Sequence, residues 1–435
     1  MGIPRDLTKT IMFTNLQALY QVMRDARLDR SAMNKVVDKR LKNVLINAYL
    51  HVPYYRTAMD SAKYNPIREY RGPQDLTLLP VVTKKDLKEH GMESFLRKGV
   101  VLRECFRDAT SGSTGIPLVI YRSQYERSVQ IAKWLRVLFA NGYRITQKVM
   151  SLSPPWRLME GRTVLNKAKL LRKRSVNYHS SASDMVDAFL EYKPDVLYGN
   201  RTHIDMMASE LERRGIHYED LRVLAVAAEV VPENCRKLCL KHFGIRLTEI
   251  YGSTEMGTMF HETPEHNGLH IMEDLTHCEF VGSDLRPVDP GEPGRTVVTD
   301  LVGTTMPFIR YDQGDIAIYE DIKSETGGIQ RRVRKIVGRD DDYAVLPDGS
   351  RRTFHLFYEV MDNYEKLVQF RVVQKSRDLF EIQVATNENY LESIRGDMLT
   401  QLHDRFSRDI AFDIVRVDGI EPDPSGKIRM LISEV

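Results

Sequence analysis

The chain has 435 residues, 42% of them hydrophobic and 28% charged, which is too long for one ordinary core and points to two or more domains. A net charge of +3 gives no broad attraction to nucleic acid or to a membrane surface, and no hydrophobic run approaches a membrane span. The four cysteines, Cys105, Cys235, Cys239 and Cys278, are too few and too irregularly spaced for a disulfide framework.

Residues 1–6 lack a signal-peptide core, and Asp6 stands where myristoylation wants Ser or Thr. A cytoplasmic, reducing setting is the expectation. Residues 14–50 read as amphipathic helix, broken near Leu28-Asp29-Arg30-Ser31 and ended at Pro53. Then comes Thr110-Ser111-Gly112-Ser113-Thr114-Gly115, rich in hydroxyls and glycine. Successive N–H groups in such a turn form an anion-binding nest, which suits a polyphosphate. A polar surface turn is the plainer reading. It is not a Walker loop, since no Gly-Lys-Ser/Thr ending follows.

A strand is expected over 118–121, and Ser123 with Glu126 forms a capping box. The helix that follows runs to Ala140, with Ile131, Leu135 and Leu138 on one face and Asn141-Gly142 as its stop. Strands over 148–152, 195–198, 221–227 and 246–251 alternate with helices over 184–192, 202–213 and 232–243, the last with Pro232 in its first turn. This alternation argues for an α/β sheet with covered faces. Ligands of such sheets bind at strand ends, where Gly199-Asn200 and Tyr251-Gly252 lie. The basic runs Arg172-Lys173-Arg174 and Arg331-Arg332-Val333-Arg334-Lys335 read as solvated faces or as a cradle for the phosphates of a second substrate.

From 279 to 320 the pattern becomes strand and turn, with a clear turn at Asp289-Pro290-Gly291-Glu292-Pro293-Gly294. A boundary is expected at 337–342. Beyond it, strands over 368–373, 380–384 and 411–417 and a helix over 390–406 make a small α+β domain.

Four further segments follow the glycine-rich loop: Tyr251-Gly252-Ser253-Thr254-Glu255, Ile309-Arg310-Tyr311-Asp312-Gln313-Gly314-Asp315, Gly338-Arg339-Asp340-Asp341-Asp342 and Ser425-Gly426-Lys427-Ile428-Arg429. Taken singly they are weak. Lys427 is most simply a surface lysine, Glu255 an exposed acid, Asp315 a strand-end turn residue and Tyr251 a core aromatic. In this order and spacing the chain resembles the adenylate-forming enzymes: acyl- and aryl-coenzyme A ligases, adenylation domains and luciferases. It looks most like the phenylacetate–coenzyme A ligase branch. His51-Val52-Pro53-Tyr54-Tyr55-Arg56, Leu79-Pro80-Val81-Val82-Thr83-Lys84 and Gly268-Leu269-His270-Ile271-Met272-Glu273-Asp274 carry that likeness, which covers nearly the whole length.

The resemblance implies an α/β fold. A large multilayer N-terminal domain over 1–338 is joined by a hinge to a small α+β domain over 339–435. Ser111, Gly112, Ser113, Thr114 and Gly115 would hold the β- and γ-phosphates of ATP. Tyr251, followed by Gly252, would stack on adenine, and Ala228 and Glu229 would line the adenine pocket. Asp315 would bind the ribose hydroxyls, Arg339 would lie near the nucleotide, and Asp341 would be the hinge. Thr254 would touch the α-phosphate, Glu255 would help hold Mg²⁺, and Lys427 would bridge the carboxylate and the α-phosphate. Tyr143, Trp156, Tyr198, Met256 and Met259 are the candidate pocket for the acid.

ATP and Mg²⁺ are thus the expected cofactors, a small carboxylic acid the substrate, and coenzyme A the default acceptor. The scaffold also loads carrier proteins, forms amides or adenylates a hydroxyl, and a non-catalytic nucleotide-binding protein is a more remote alternative. No nucleic-acid partner and no membrane span are expected, and a homodimer is allowed. Two departures stand out. Ile116 replaces a lysine common before Pro117, and Thr263 replaces a cysteine found in zinc-holding relatives. That leaves His261, His266, His270 and Cys278 as a poor zinc set.

Overall fold

The computed structural model describes residues 5–110, 118–155, 169–323, 329–339, 343–361, 363–364, 367, 369–421 and 429–435. The loop residues Ser111 to Gly115, and also Trp156, Asp341 and Lys427, lie outside them. The chain folds as two units, each built from two stretches of sequence: Met1–Ala140 with Ile250–Lys335, and Asn141–Glu249 with Ile336–Val435.

The first unit opens with α1 (Arg5–Asp25) and α2 (Arg30–His51). The break between them has a clear cause, because Asp29 accepts a hydrogen bond from the Ala32 N–H and caps α2. The helical run ends as expected just before Pro53, α2 stopping at His51 with Val52 extended, but the proline has a second role. It opens α3 (Pro53–Ser61), where its missing N–H costs nothing. Two short helices follow, α4 (Pro66–Glu69) and α5 (Lys84–Glu89), the latter started by a Thr83/Asp86 capping box.

Strands β1 (Phe106–Ala109) and β2 (Val119–Arg122) pair antiparallel, with Ala109 opposite Val119. Thr110 N–H donates to the Leu118 carbonyl at 2.9 Å, and Leu118 N–H to Thr110 Oγ1 at 2.9 Å. Both ends of the connecting segment are therefore tied together. The capping box then starts α6 (Gln124–Ala140), with Ser123 N–H donating to Glu126 Oε2 at 2.7 Å. Ile131 departs from the expected face. It is 42% exposed, while Val129, Ala132, Leu135 and Leu138 are buried.

The second unit contains β3 (Lys148–Ser153), β4 (Arg172–Asn177), α7 (Ala182–Tyr192), β5 (Val196–Asn200), α8 (Arg201–Arg214), β6 (Val223–Ala227) and α9 (Glu233–Phe243). Its strands run parallel in the order β6-β5-β3-β4. The basic run Arg172-Lys173-Arg174 is thus the start of a strand, half-buried beside β3. Pro232 caps α9 from outside its first turn. The core beneath these helices includes Met185, Phe189, Met207, Leu211 and Phe243.

Strand β7 (Leu247–Ser253) leads back into the first unit, followed by β8 (Gly257–His261), β9 (Leu269–Ile271), β10 (Thr276–Val281), β11 (Pro293–Asp300), β12 (Tyr311–Lys323) and β13 (Ile329–Arg339). Here the strand order is β10-β11-β12-β13-β9-β8-β7. The turn from β7 to β8 is tight. A Cβ on Gly252 would fall 2.4 Å from the Gly257 carbonyl oxygen, so that close approach needs glycine.

The remaining stretch of the second unit holds β14 (Tyr343–Val345), β15 (Arg351–Thr353), α10 (Phe354–Met361), β16 (Gln369–Ser376), β17 (Leu379–Ala385), α11 (Glu388–Arg405), β18 (Ala411–Val417) and β19 (Leu431–Ser433). The sheet β18-β17-β16-β19 packs around Phe357, Phe380, Leu391 and Leu402. All four cysteines are free thiols. Cys235, Cys239 and Cys278 are buried and Cys105 is partly exposed. Among the described residues no helix is long and apolar enough to cross a membrane.

Candidate active site

The site is built where β7, β12 and the β1–β2 pair meet within the first unit. Tyr251, near the end of β7, donates its hydroxyl to Asp315 Oδ2 on β12 at 2.6 Å. Its ring stacks on Phe260, its cross-strand neighbour on β8, with centroids 4.8 Å apart and planes 17° from parallel. The phenol is thereby fixed at both ends, by an aromatic floor and by a charged acceptor.

Just beyond β7, Glu255 is buried, and Tyr311 donates its hydroxyl to Glu255 Oε1 at 3.0 Å. Among the described residues the second carboxylate oxygen has no partner. It borders a cleft lined also by Tyr121, Arg122, Glu126, Gln130 and Asp300. Glu126 and Asp300 in this lining accept the backbone N–H groups of Thr304, Thr305 and Val302, and Glu255 brings a third carboxylate; Mg²⁺ needs few protein carboxylates, since it keeps most of its shell as water and phosphate oxygen.

Arg122 joins the two motifs. It stands at the end of β2, only 5% exposed, and its Nη1 donates to Asp108 Oδ2 on β1 at 2.7 Å. Nη2 donates to the backbone carbonyls of Thr254 and of Glu255, the latter at 2.8 Å. The strands that carry the Ser/Gly loop are therefore fastened to the turn that carries Thr254 and Glu255. A short Ser turn closes the same segment, with Met256 N–H donating to Ser253 Oγ at 3.2 Å.

Helix α6 supplies the frame behind the cleft. Glu126, Gln130 and Lys133 share one face by their spacing. Glu126 Oε1 accepts the N–H groups of Thr304 and Thr305 at 2.6 and 2.8 Å. Lys133 is fully buried and donates to the Met256 carbonyl at 3.0 Å. Burial pushes its ammonium pKa down, while Asp300 nearby pulls it up. Met256 and Met259, expected in the acid pocket, are fully buried core side chains of this unit.

In the second unit, Ala228 and Glu229 follow β6 at the carboxyl end of its parallel strands. Ala228 is exposed and adopts φ 75°, a left-handed conformation unusual for a residue with a Cβ. Glu229 turns inward, accepting from the Thr202 hydroxyl and pairing with Arg201 at 3.1 Å. Asp205, 3.4 Å from the same guanidinium, is raised to about 6 because burial outweighs that ion pair. Tyr143 is buried and Tyr198 half-buried on β5. Gly199 is pressed against Leu152, where a Cβ would meet carbon at 3.0 Å. His203 stacks on Tyr178 at 4.6 Å and 14°, and burial lowers its pKa to about 4. Arg339, the last residue of β13, is exposed.

The structure thus brings together Tyr251, Asp315, Thr254 and Glu255 with the strands flanking the Ser/Gly loop. Sequence reasoning missed Arg122, Tyr311 and Lys133. Two of them left a signal, since Arg122 ends an apolar strand and Lys133 interrupts the apolar face of a helix. Of the histidines weighed for zinc, His261 Nδ1 lies 2.8 Å from the Glu262 carbonyl and His270 Nε2 lies 3.1 Å from Asn267 Oδ1.

Known proteins resemble this chain in sequence and in fold. The AMP-binding enzyme family matches residues 109–300, and the CapK C-terminal domain family matches residues 347–434. Phenylacetate-coenzyme A ligase from Thermus thermophilus is 26% identical over 389 residues, covering 86% of each chain. The Escherichia coli phenylacetate-coenzyme A ligase is 27% identical over 322 residues, covering 71% of each. Among solved structures, 2-hydroxyisobutyryl-CoA ligase in its postadenylation state superposes with a TM-score of 0.78 at 19% identity. That match covers 94% of this chain and 90% of the other, a likeness of fold.

Proposed function

Because the chain belongs to the adenylate-forming superfamily, in its phenylacetate–coenzyme A ligase-like branch, we propose that it activates a carboxylic acid with ATP and passes the acyl group to coenzyme A. One observation carries the reading. Arg122 clamps the strand leaving the Ser/Gly loop to the Thr254–Glu255 turn, so two phosphate-facing elements share one base.

In the first half-reaction a carboxylate oxygen attacks the α-phosphorus of ATP, the bond to the bridging oxygen breaks, and pyrophosphate leaves. Two anions must meet, so oriented dipoles and cations lower the barrier. Mg²⁺ supplies phosphate charge neutralisation when bound. Glu255 offers it one carboxylate oxygen while the Tyr311 hydroxyl holds the other in place. Thr254 donates its hydroxyl toward the α-phosphate. Tyr251 presents the ring face opposite Phe260 to adenine. Asp315 retains acceptor sites for the ribose hydroxyls beside the one used by Tyr251, since a carboxylate has about four lone-pair positions. Lys427 aligns the carboxylate with the α-phosphate as a mobile point charge.

In the second half-reaction the thiol loses its proton, the sulfur attacks the acyl carbonyl, and AMP departs. Residues 339–435 act as a mobile domain that turns about Asp341 between the halves and withdraws Lys427. Four free cysteines suit a reducing cytoplasm.

The test is a screen of aryl and acyl acids by pyrophosphate release, with and without coenzyme A, reading thioester as product. At least one acid should give pyrophosphate and a matching amount of thioester. Pyrophosphate with an amine or hydroxyl acceptor and no thioester would assign the scaffold another acceptor. Silence with every acid would overturn the reading.

A further inference from the structure

Three successive carbonyls in the Thr254–Met256 turn face two buried cations. Arg122 takes those of Thr254 and Glu255, and Lys133 takes that of Met256. The cations come from β2 and α6, the elements that directly follow the Ser/Gly loop in sequence.

Lys133 is the more telling of the two. Its side chain is wholly removed from water, and among the described residues it makes one hydrogen bond from three possible donors. Among the described residues no carboxylate forms an ion pair with it, although Asp300 and Asp274 act on it from further away. A methionine or leucine there would pack as well without the cost of burying a charge. The neighbouring turn needs glycine at Gly257, which sits at φ +67°, in the left-handed region that side chains rarely adopt.

We propose that Lys133, with Arg122, is a positioning residue for the nucleotide. The pair fixes the backbone of Thr254–Met256 so that the Thr254 hydroxyl and the free oxygen of Glu255 meet the phosphates and Mg²⁺ in one geometry. This rests on the reaction assigned above. Asp108 extends the device, since the same guanidinium that holds the turn also holds β1. The strands on either side of the Ser/Gly loop and the Thr254–Met256 turn are then held by one group.

The experiment compares the intact wild-type chain with Lys133→Met and Arg122→Met. It uses amide hydrogen exchange of the 253–257 segment without ligand, and calorimetric binding of ATP with and without Mg²⁺. Lys133→Met should fold, with thermal stability equal to or above wild type. Its 253–257 amides should exchange at least tenfold faster, and its affinity for Mg²⁺-ATP should fall about tenfold while affinity for metal-free ATP changes less. Arg122→Met should show a larger loss, partly restored in Arg122→Lys. Unchanged exchange in Lys133→Met would overturn the proposal, as would faster exchange with undiminished Mg²⁺-ATP binding. A wild-type chain with no affinity for Mg²⁺-ATP would instead overturn the assigned reaction, and the exchange data would tell the two failures apart.

Discussion

Tyr251 and Asp315 stand 64 positions apart in sequence, and the Tyr251 hydroxyl donates to Asp315 Oδ2 at 2.6 Å. The strands that carry them, β7 and β12, are separated in the sheet by β8, β9 and β13; a flat sheet would hold them about 19 Å apart, beyond the reach of the two side chains, so the sheet must curve to bring them together. It joins the residue proposed to stack on adenine to the one proposed to hold ribose.

Removing the hydroxyl keeps the stack on Phe260 and loses only the tether. A hydrogen bond to a charged group is worth about 1.5–3 kcal/mol. Tyr251→Phe should therefore raise KM for ATP about tenfold with kcat little changed. Asp315→Ala removes the ribose acceptor as well and should raise it further, about a hundredfold. Steady-state pyrophosphate release at varied ATP measures both, and an unaltered KM in Asp315→Ala would place the ribose elsewhere.

Glu255→Gln keeps shape and loses charge. It should lower kcat for pyrophosphate release about 10²–10³-fold, the range seen when one preorganised electrostatic group is removed, and raise the Mg²⁺ concentration for half-maximal rate. Tyr311→Phe leaves the carboxylate but frees its orientation, so a smaller loss of about tenfold is expected. Full activity in Glu255→Gln at low Mg²⁺ would remove this residue from the metal site.

Lys427→Ala separates the half-reactions. Acyl-adenylate formation should be lost, while thioester formation from a supplied acyl-adenylate should persist near the wild-type rate. Equal losses in both would mean that the lysine serves the fold or both steps alike.

Acid stability carries a signed prediction. His203 and His261 are buried and have their pKa values lowered to about 4 from 6.5, chiefly by burial. Between pH 6.5 and 4 the unfolded chain binds more protons at these sites than the folded one. Stability is therefore complete above about 6.5 and falls as pH drops toward 4, by up to about 3 kcal/mol for each residue. Asp205, raised to about 6, acts with the opposite sign. Glu210, held near 2 by Arg213 and Arg214, contributes its loss only below about 4.5. Urea melts of His203→Gln and His261→Gln at pH 7 and pH 5 test the assignment. Each variant should lose less stability on acidification than wild type, and parallel losses would refute it.

Much of the fold was legible because its signals are local. The capping box at Ser123 and Glu126 set the start of α6, and the alternating strands between 148 and 251 announced the parallel sheet. Pro53 marked the end of α2 correctly, but the helix it opens was not read, because proline both ends helices and starts them. Arg172-Lys173-Arg174 hid a strand because charge masks the period-two pattern at a sheet edge. In the site, motif residues such as Tyr251 and Glu255 stood out only through the family resemblance that their motifs carry together. Arg122, Tyr311 and Lys133 did not, because their roles arise from contacts to backbone carbonyls and to one another's neighbours. A carbonyl has no letter in the sequence.

Cys105 lies directly before β1, and the other three thiols are sealed inside the protein. A maleimide dye offered to the native chain should therefore attach at one place, a few residues from the segment proposed to grip ATP. The protein carries its own handle for a fluorescence record of nucleotide arrival, with no engineered cysteine and no native one to delete.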